Sequence, residues 1–139
     1  MNKKYEFTGE TKRYAGATLH RIRRISDGLV GGWIEKEENL SHEGGCFVYG
    51  NAKVQGNAIV FEDAKIYGDA WISGSVRVSG NAEVYEGAWV FWSAWVSGDA
   101  RVHGDAWVYG SAKISGSTEV CGDARIFSLE ALEIEEGNN

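Results

Sequence analysis

A six-residue pattern of apolar and polar positions runs without insertion through residues 48–125 of this 139-residue chain. Each of its thirteen units begins with Val or Ile, and the fifth place holds Ala except at Val76 and Thr118. Places five, six, one and two alternate inward and outward, as in a short β-strand. Places three and four are mostly Gly followed by Asn, Asp, Ser or Gly, which favour turns. The pattern therefore predicts one short strand and one corner in every unit.

A fixed period of this length is typical of a solenoid, in which each unit buries its apolar side against the next. Three corners close a triangle, so that eighteen residues form one coil and the next coil lies about 4.8 Å along the axis. We therefore expect an all-β fold in which residues 48–127 form a single-stranded triangular β-helix of about four to five coils, about 20 Å tall.

The repeat resembles the left-handed β-helix of the hexapeptide-repeat superfamily, in which an aliphatic residue follows a small one by two places. The left hand is what this resemblance implies, and a right-handed triangular helix of the bactofilin kind is the alternative. Because members of the superfamily are commonly trimers, the resemblance also implies a homotrimer. Its enzymes include acyltransferases, which bind acyl-CoA between subunits and typically carry a catalytic histidine.

Residues 1–47 precede the repeat and predict a basic β-hairpin followed by an irregular capping coil. Residues 4–8 and 17–25 alternate as strands around Gly9 and Gly16. Residues 26–45 break the repeat, although Ile34, Leu40 and Cys46 still recur at intervals of six. The motif LHRI followed by GGWIEKEENLSHEG resembles the opening of an uncharacterised group of bacterial and phage hexapeptide-repeat proteins.

Residues 128–139 follow the repeat and predict a C-terminal cap with an acidic tail. The segment SLEALEIEE favours either a short helix or a last strand that buries Leu132 and Ile134. In both cases we expect it to close the end of the solenoid.

Charge is distributed unevenly along the chain, whose formal net charge is −6. Residues 1–25 hold seven basic and two acidic residues, whereas the remainder holds seven basic and eighteen acidic ones. An acidic body with one basic hairpin does not favour nucleic-acid binding. The basic side chains either face solvent, pair with acidic coils of a neighbouring subunit or bind an anion. The anion-binding candidates are Arg21, Arg23, Arg24, Lys53 and Arg125.

Several features predict a soluble protein of the cytoplasm, or of the host cytoplasm if a phage encodes it. No apolar run has the length of a membrane span, and residues 1–24 contain no block that resembles a secretion signal. Cys46 and Cys121 are predicted to lie about 20 Å apart along the axis, too far for a disulfide within one chain. Reduced thiols are typical of the cytoplasm.

Outward residues eighteen apart stack in ladders, and those of the first face are unusually aromatic. Together they exceed the few hundred Å² of contiguous apolar surface that monomers tolerate. We expect another subunit to cover this face, or a ligand whose nucleobase or sugar ring stacks on tryptophan. The candidate oligomer or ligand face comprises Trp71, Trp89, Phe91, Trp107, Tyr109 and Phe127.

The third face carries alternating charges beside a tyrosine ladder, which predicts a solvated wall. Its ladders are Phe47, Lys65, Glu83, Arg101, Glu119 and Tyr49, Tyr67, Tyr85, His103, Cys121. We expect His103 to be a surface ladder residue without a dedicated partner, rather than a general base.

No catalytic residue, cofactor or metal site is predicted. The closely spaced three-histidine set of the related carbonic anhydrases is absent, and so is a phosphate-binding loop of the GxxxxGK type. We interpret the sequence as that of a non-catalytic homotrimeric binding protein, in one version a phage-type inhibitor that blocks a host defence factor or sequesters a signalling nucleotide. The alternatives are an acyltransferase that uses acyl-CoA and a self-assembling structural scaffold.

Overall fold

A computed structural model describes residues 3–127, so the C-terminal cap and acidic tail predicted for residues 128–139 lie outside the described residues. The chain forms an all-β solenoid of about five turns with an N-terminal antiparallel hairpin, which confirms the predicted fold class. The described residues include no helix with the length and apolar character needed to cross a membrane. The handedness of the solenoid stays a prediction.

The strands fall into a longer N-terminal set and a regular series of two-residue strands. The N-terminal set comprises β1 (Tyr5–Tyr14), β2 (Ala17–Arg24) and β3 (Val30–Ile34), followed by a 3₁₀ helix, Glu37–Asn39. The regular series comprises β4 (Phe47–Val48), β5 (Lys53–Val54), β6 (Ile59–Val60), β7 (Lys65–Ile66), β8 (Trp71–Ile72), β9 (Arg77–Val78), β10 (Glu83–Val84), β11 (Trp89–Val90), β12 (Trp95–Val96), β13 (Arg101–Val102), β14 (Trp107–Val108), β15 (Lys113–Ile114), β16 (Glu119–Val120) and β17 (Arg125–Ile126).

Three sheets form the three faces. The first face is an eight-stranded sheet in the order β1-β2-β3-β5-β8-β11-β14-β17, the second is β15-β12-β9-β6, and the third is β16-β13-β10-β7-β4. Within the solenoid each strand pairs in parallel with the strand one coil later, so that Trp89 lies opposite both Trp71 and Trp107. The predicted eighteen-residue coil and its ladders are therefore confirmed.

The core consists of the aliphatic and small residues that the repeat places inward. From Val48 to Ile114 every first-place Val or Ile is fully buried, as are the fifth-place residues beside them. The backbone N–H groups donate to carbonyls of the next coil, for example from Trp89 to Ala106 at 3.0 Å and from Phe91 to Val108 at 3.0 Å. The coils therefore satisfy one another's backbone along the axis, while the inward side chains exclude water.

The predicted hairpin is confirmed, and it extends the sheet of the first face. β1 and β2 are antiparallel, β2 pairs antiparallel with β3, and β3 pairs in parallel with β5. The first strand is longer than the predicted residues 4–8 because pairing resumes at Thr11 after an irregularity that follows Phe7. Gly9, with a φ of 101°, lies within this irregularity.

The capping coil contains two extra residues. Ile34, Leu40 and Cys46 are all buried, as their spacing predicts. However, Leu40 lies opposite Val60 and Val48 lies opposite Ile66, so eight residues here match six in the next coil. As a result Cys46 occupies the small inward place of its unit rather than the aliphatic one.

Candidate functional site

The six predicted aromatic residues lie together on the first face. One ladder carries a tryptophan on three successive strands, at Trp71, Trp89 and Trp107. Lys53 and Arg125 lie on the strands at either end of these three. The rings of Trp89 and Trp107 stack at 5.1 Å with an interplanar angle of 3°. We call the surface formed by Trp71, Trp89, Phe91, Trp107, Tyr109 and Phe127 the aromatic face.

The hairpin covers the upper end of the aromatic face. Trp33, in β3, lies opposite Lys53 and extends the ladder upward, where it is only 4% exposed. The ring of Tyr14 meets that of Trp71 edge-on at 5.7 Å, and Lys12 Nζ lies 4.3 Å from the centre of the Trp33 ring. Part of the cover expected from another subunit is therefore supplied by the chain itself.

Among residues 3–127, no segment covers the lower end of the aromatic face. Phe91 and Tyr109 stack at 5.0 Å, and the ring of Tyr109 lies 5.4 Å from that of Phe127. Stacking leaves Trp89 and Trp107 half-buried, whereas Phe127 is 55% exposed. Because the strands beneath are backed by the core, the rings form a rigid platform.

Trp92 is a member of this surface that sequence reasoning missed. It occupies the third place of its unit, at the corner between β11 and β12, with a φ of 67°. Its side chain is 58% exposed, and its ring lies 5.5 Å from those of both Phe91 and Tyr109. The signal was present in the unit VFWSAW, where Trp stands at a place that elsewhere favours Gly.

The left-handed backbone at Trp92 is costly, since a non-glycine residue in this region loses about 1–2 kcal/mol. Two other solenoid corners carry non-glycine residues at positive φ, Glu62 and Glu86. Their carboxylates accept hydrogen bonds from the backbone N–H groups of Gly80 and Gly104, one coil later, both at 2.8 Å. An indole offers no acceptor for such a bond, so Trp92 makes ring contacts instead.

The three hairpin arginines among the anion-binding candidates all have partners within the chain. Arg23 pairs with Glu6 at 3.1 Å, and Arg24 pairs with Asp27 at 2.9 Å. The Arg24 guanidinium holds the pKa of Asp27 at about 2, below its usual range. Arg21 donates to the Gly31 carbonyl at 2.9 Å and lies over the Trp33 ring.

The two ladder cations of that candidate set lie apart from each other. Lys53 Nζ is 4.7 Å from the centre of the Tyr14 ring, and burial beside Lys12 lowers the pKa of Lys53. Arg125 lies over the Trp107 ring at 4.3 Å and donates to the Asp105 carbonyl. Three tryptophan-bearing strands separate the two cations, so the structure does not bring the anion-binding candidates into one site.

On the third face, the expectation that His103 lacks a dedicated partner was wrong. Its Nδ1 lies 3.2 Å from Glu86 Oε1, and its Nε2 lies 2.6 Å from Glu119 Oε2. Its ring stacks on Tyr85 at 4.7 Å. The ladders did not predict this contact because Glu86 stands at a corner, outside the outward positions.

The fold and these faces define the class of the molecule, a β-solenoid repeat protein. Residues 94–110 match the family model described as the YdcK beta solenoid repeat, which shows a repeat of this kind over part of the chain. A search of curated proteins found no match to the chain.

Proposed function

We propose that the protein is a non-catalytic binding protein that assembles as a homotrimer through the open, lower end of its aromatic face. The observation that carries this proposal is Trp92, a large ring 58% exposed on a backbone that glycine would adopt more cheaply. Residues with a strained backbone cluster at functional sites, so an observed outlier supports a hypothesis of function. Here the strain places an indole beside Phe91 and Tyr109, at the edge of a rigid stack.

The occupant that fits this surface best is a second copy of the chain. The hairpin demonstrates the mode of contact, because Tyr14 approaches Trp71 edge-on and buries the upper end of the same ladder. Exposed rings at the lower end offer the same edge and face geometry to a neighbouring chain. Closed cyclic symmetry is the usual way for one such surface to be covered in every copy.

A nucleotide ligand has less support. Phosphate recognition needs free cations beside the stacking rings, but the three hairpin arginines contact groups of their own chain. Arg125 lies over the Trp107 ring, and its guanidinium donates to the Asp105 carbonyl. Catalysis by His103 is also disfavoured, because each of its ring nitrogens contacts a carboxylate of the same chain. A general base must instead reach the proton of a substrate.

Trp92→Gly tests the proposal, because glycine suits this corner and the fold should not suffer. We expect native mass spectrometry and sedimentation velocity to show a trimer for the unmodified protein. In the variant we expect at least a ~100-fold weaker association, as for an interface residue worth about 2.7 kcal/mol or more.

Glu62→Gly is the matched control, since it makes the same backbone change at a corner whose carboxylate contacts Gly80 rather than the aromatic face. It should leave association unchanged. A monomeric unmodified protein, or a Trp92→Gly variant that associates as tightly as the control, would contradict the proposal. A dimer would overturn the threefold assembly.

A further inference from the structure

Three side chains with different donor atoms converge on the third face, in the last coils that the structure describes. His103 follows β13, Glu119 lies in β16, and Cys121 follows β16. One nitrogen, one carboxylate oxygen and one sulfur from these residues all lie within 4.8 Å of one another. From this geometry we infer that His103, Glu119 and Cys121 form a binding site for a divalent transition-metal ion of the zinc class.

The convergence follows from the register of the solenoid. Glu119 and Cys121 are two residues apart on one coil and therefore point to the same side of the sheet. His103 precedes Cys121 by one coil, and its backbone N–H donates to the Val120 carbonyl at 2.9 Å. The three side chains are thus held by adjacent, hydrogen-bonded strands.

The donor set selects the class of ion. Imidazole and thiolate ligands favour zinc and cobalt over magnesium and calcium, which prefer oxygen. In a tetrahedral site with ligand distances of about 2.0–2.3 Å, the donor atoms lie about 3.3–3.8 Å apart. The three donors here lie within 4.8 Å of one another, and His103 Nε2 lies 2.6 Å from Glu119 Oε2, so side-chain shifts of about 1 Å bring them to that geometry. Glu119 and Cys121 are exposed, so an ion can enter from solvent, and a fourth position stays open.

The imidazole is already oriented for this role. Glu86 Oε1 contacts His103 Nδ1 at 3.2 Å and also accepts from the Gly104 N–H at 2.8 Å. A ring that donates from Nδ1 to a carboxylate leaves the Nε2 lone pair for a metal, the arrangement that second-shell carboxylates commonly impose. An ion bound between His103 and Glu119 would replace the contact that Nε2 makes with the Glu119 carboxylate. Stacking on Tyr85 holds the plane of the ring, and the His103 side chain is only 18% exposed. The hydrogen bond from the Gly104 N–H holds the Glu86 carboxylate in this position.

The test is titration of the reduced protein with Co²⁺, followed by visible and near-ultraviolet absorption. We expect one ion to bind per chain, with a thiolate-to-cobalt charge-transfer band and the d–d bands of a tetrahedral site. Cys121→Ser should lose the charge-transfer band, and Glu119→Gln should weaken binding at least tenfold. Glu83→Gln, on the same ladder two coils earlier, is the control and should bind as the unmodified protein does.

Glu86→Gly separates a built site from accidental proximity of donors. It introduces the residue that most corners carry and removes only the carboxylate that orients His103. We expect its Kd for Co²⁺ to rise about 10- to 100-fold, as on loss of a second-shell partner, while Glu62→Gly leaves the Kd unchanged. Absence of saturable binding, a charge-transfer band that survives Cys121→Ser, or equal affinity of the two glycine variants would overturn the inference. Because Co²⁺ binding is measured on the third face, its outcome does not decide association through the aromatic face.

Discussion

The first and third faces of the solenoid share a backbone, a period and a ladder of stacked rings. They differ in the groups that surround those rings. On the third face the rings of Tyr67, Tyr85 and His103 stack, and neighbouring carboxylates hydrogen-bond to Tyr67 and His103. On the first face the rings mainly contact one another, and the cations Lys53 and Arg125 lie at the two ends of the tryptophan ladder.

The difference is sharpest at two corners that follow a stacked ring. Glu86 follows Tyr85 and Trp92 follows Phe91, and both corner residues have a positive φ. Glu86 satisfies two donors of its own chain, whereas the contacts of Trp92 are with aromatic rings and its side chain remains largely exposed. In this repeat the corner residue therefore decides whether its side chain bonds within the chain or projects into solvent beside the stacked rings.

Trp92→Glu is the change expected to have the largest effect. It places at a corner of the first face the same residue type that Glu86 provides at a corner of the third face. By analogy with Glu62 and Glu86, the new carboxylate should accept from the N–H of Gly110, one coil later, so the fold is retained. A charge in the proposed interface should weaken association more than ~100-fold. Sedimentation velocity measures this effect, and a variant that remains trimeric would show that the corner is not part of the interface.

Removal of one stacked ring should destabilise the protein more on the first face than on the third. Trp89→Ala removes a ring that contacts both Trp71 and Trp107, and we expect a loss of about 2–3 kcal/mol in the free energy of unfolding. Tyr85→Ala, in the column of Tyr67 and His103, should cost about 1–2 kcal/mol because a smaller apolar area is lost.

Urea denaturation measures the free energy of unfolding of both variants. In the Trp92→Glu background this measurement has no contribution from association. Equal losses for the two variants would mean that the aromatic face is no better packed than the tyrosine column.

Alkaline pH should affect the third face through Tyr67. Burial and the hydrogen bond to Glu83 raise the pKa of Tyr67 to about 12, from the usual tyrosine value of about 10. Since the folded-state pKa is the higher one, the stabilisation is complete below pH 10 and is lost as the pH rises toward 12. Two pKa units correspond to about 2.7 kcal/mol, and solvent screening at this partly exposed site reduces the effect to about 1 kcal/mol.

The measurement is the free energy of unfolding between pH 9 and 12, compared with that of Tyr67→Phe. Phenylalanine should flatten the curve in this window, while Tyr109→Phe on the first face serves as the control. An unchanged slope in Tyr67→Phe would assign the alkaline loss to other groups.

Much of the fold was predicted from the sequence. The spacing of Val, Ile and Ala predicted the coil length, the inward residues and each ladder, because a period of six leaves few ways to close a triangular coil. The hairpin was also visible in the alternation around Gly9 and Gly16. The position of Trp33 was not, because the two extra residues of the capping coil shift it out of the eighteen-residue register.

The candidate surfaces, like the fold, were predicted from the sequence only in part. The sequence determined by itself which residues face outward and which of them stack, since both follow from a constant rise and a constant coil length. Only the tertiary structure decided which outward groups find partners: the hairpin folds over Trp71, Glu86 reaches His103 from a corner, and Trp92 projects beside Phe91. These contacts depend on how side chains leave the corners and the capping coil, where the backbone departs from the repeat and spacing along the chain no longer predicts proximity.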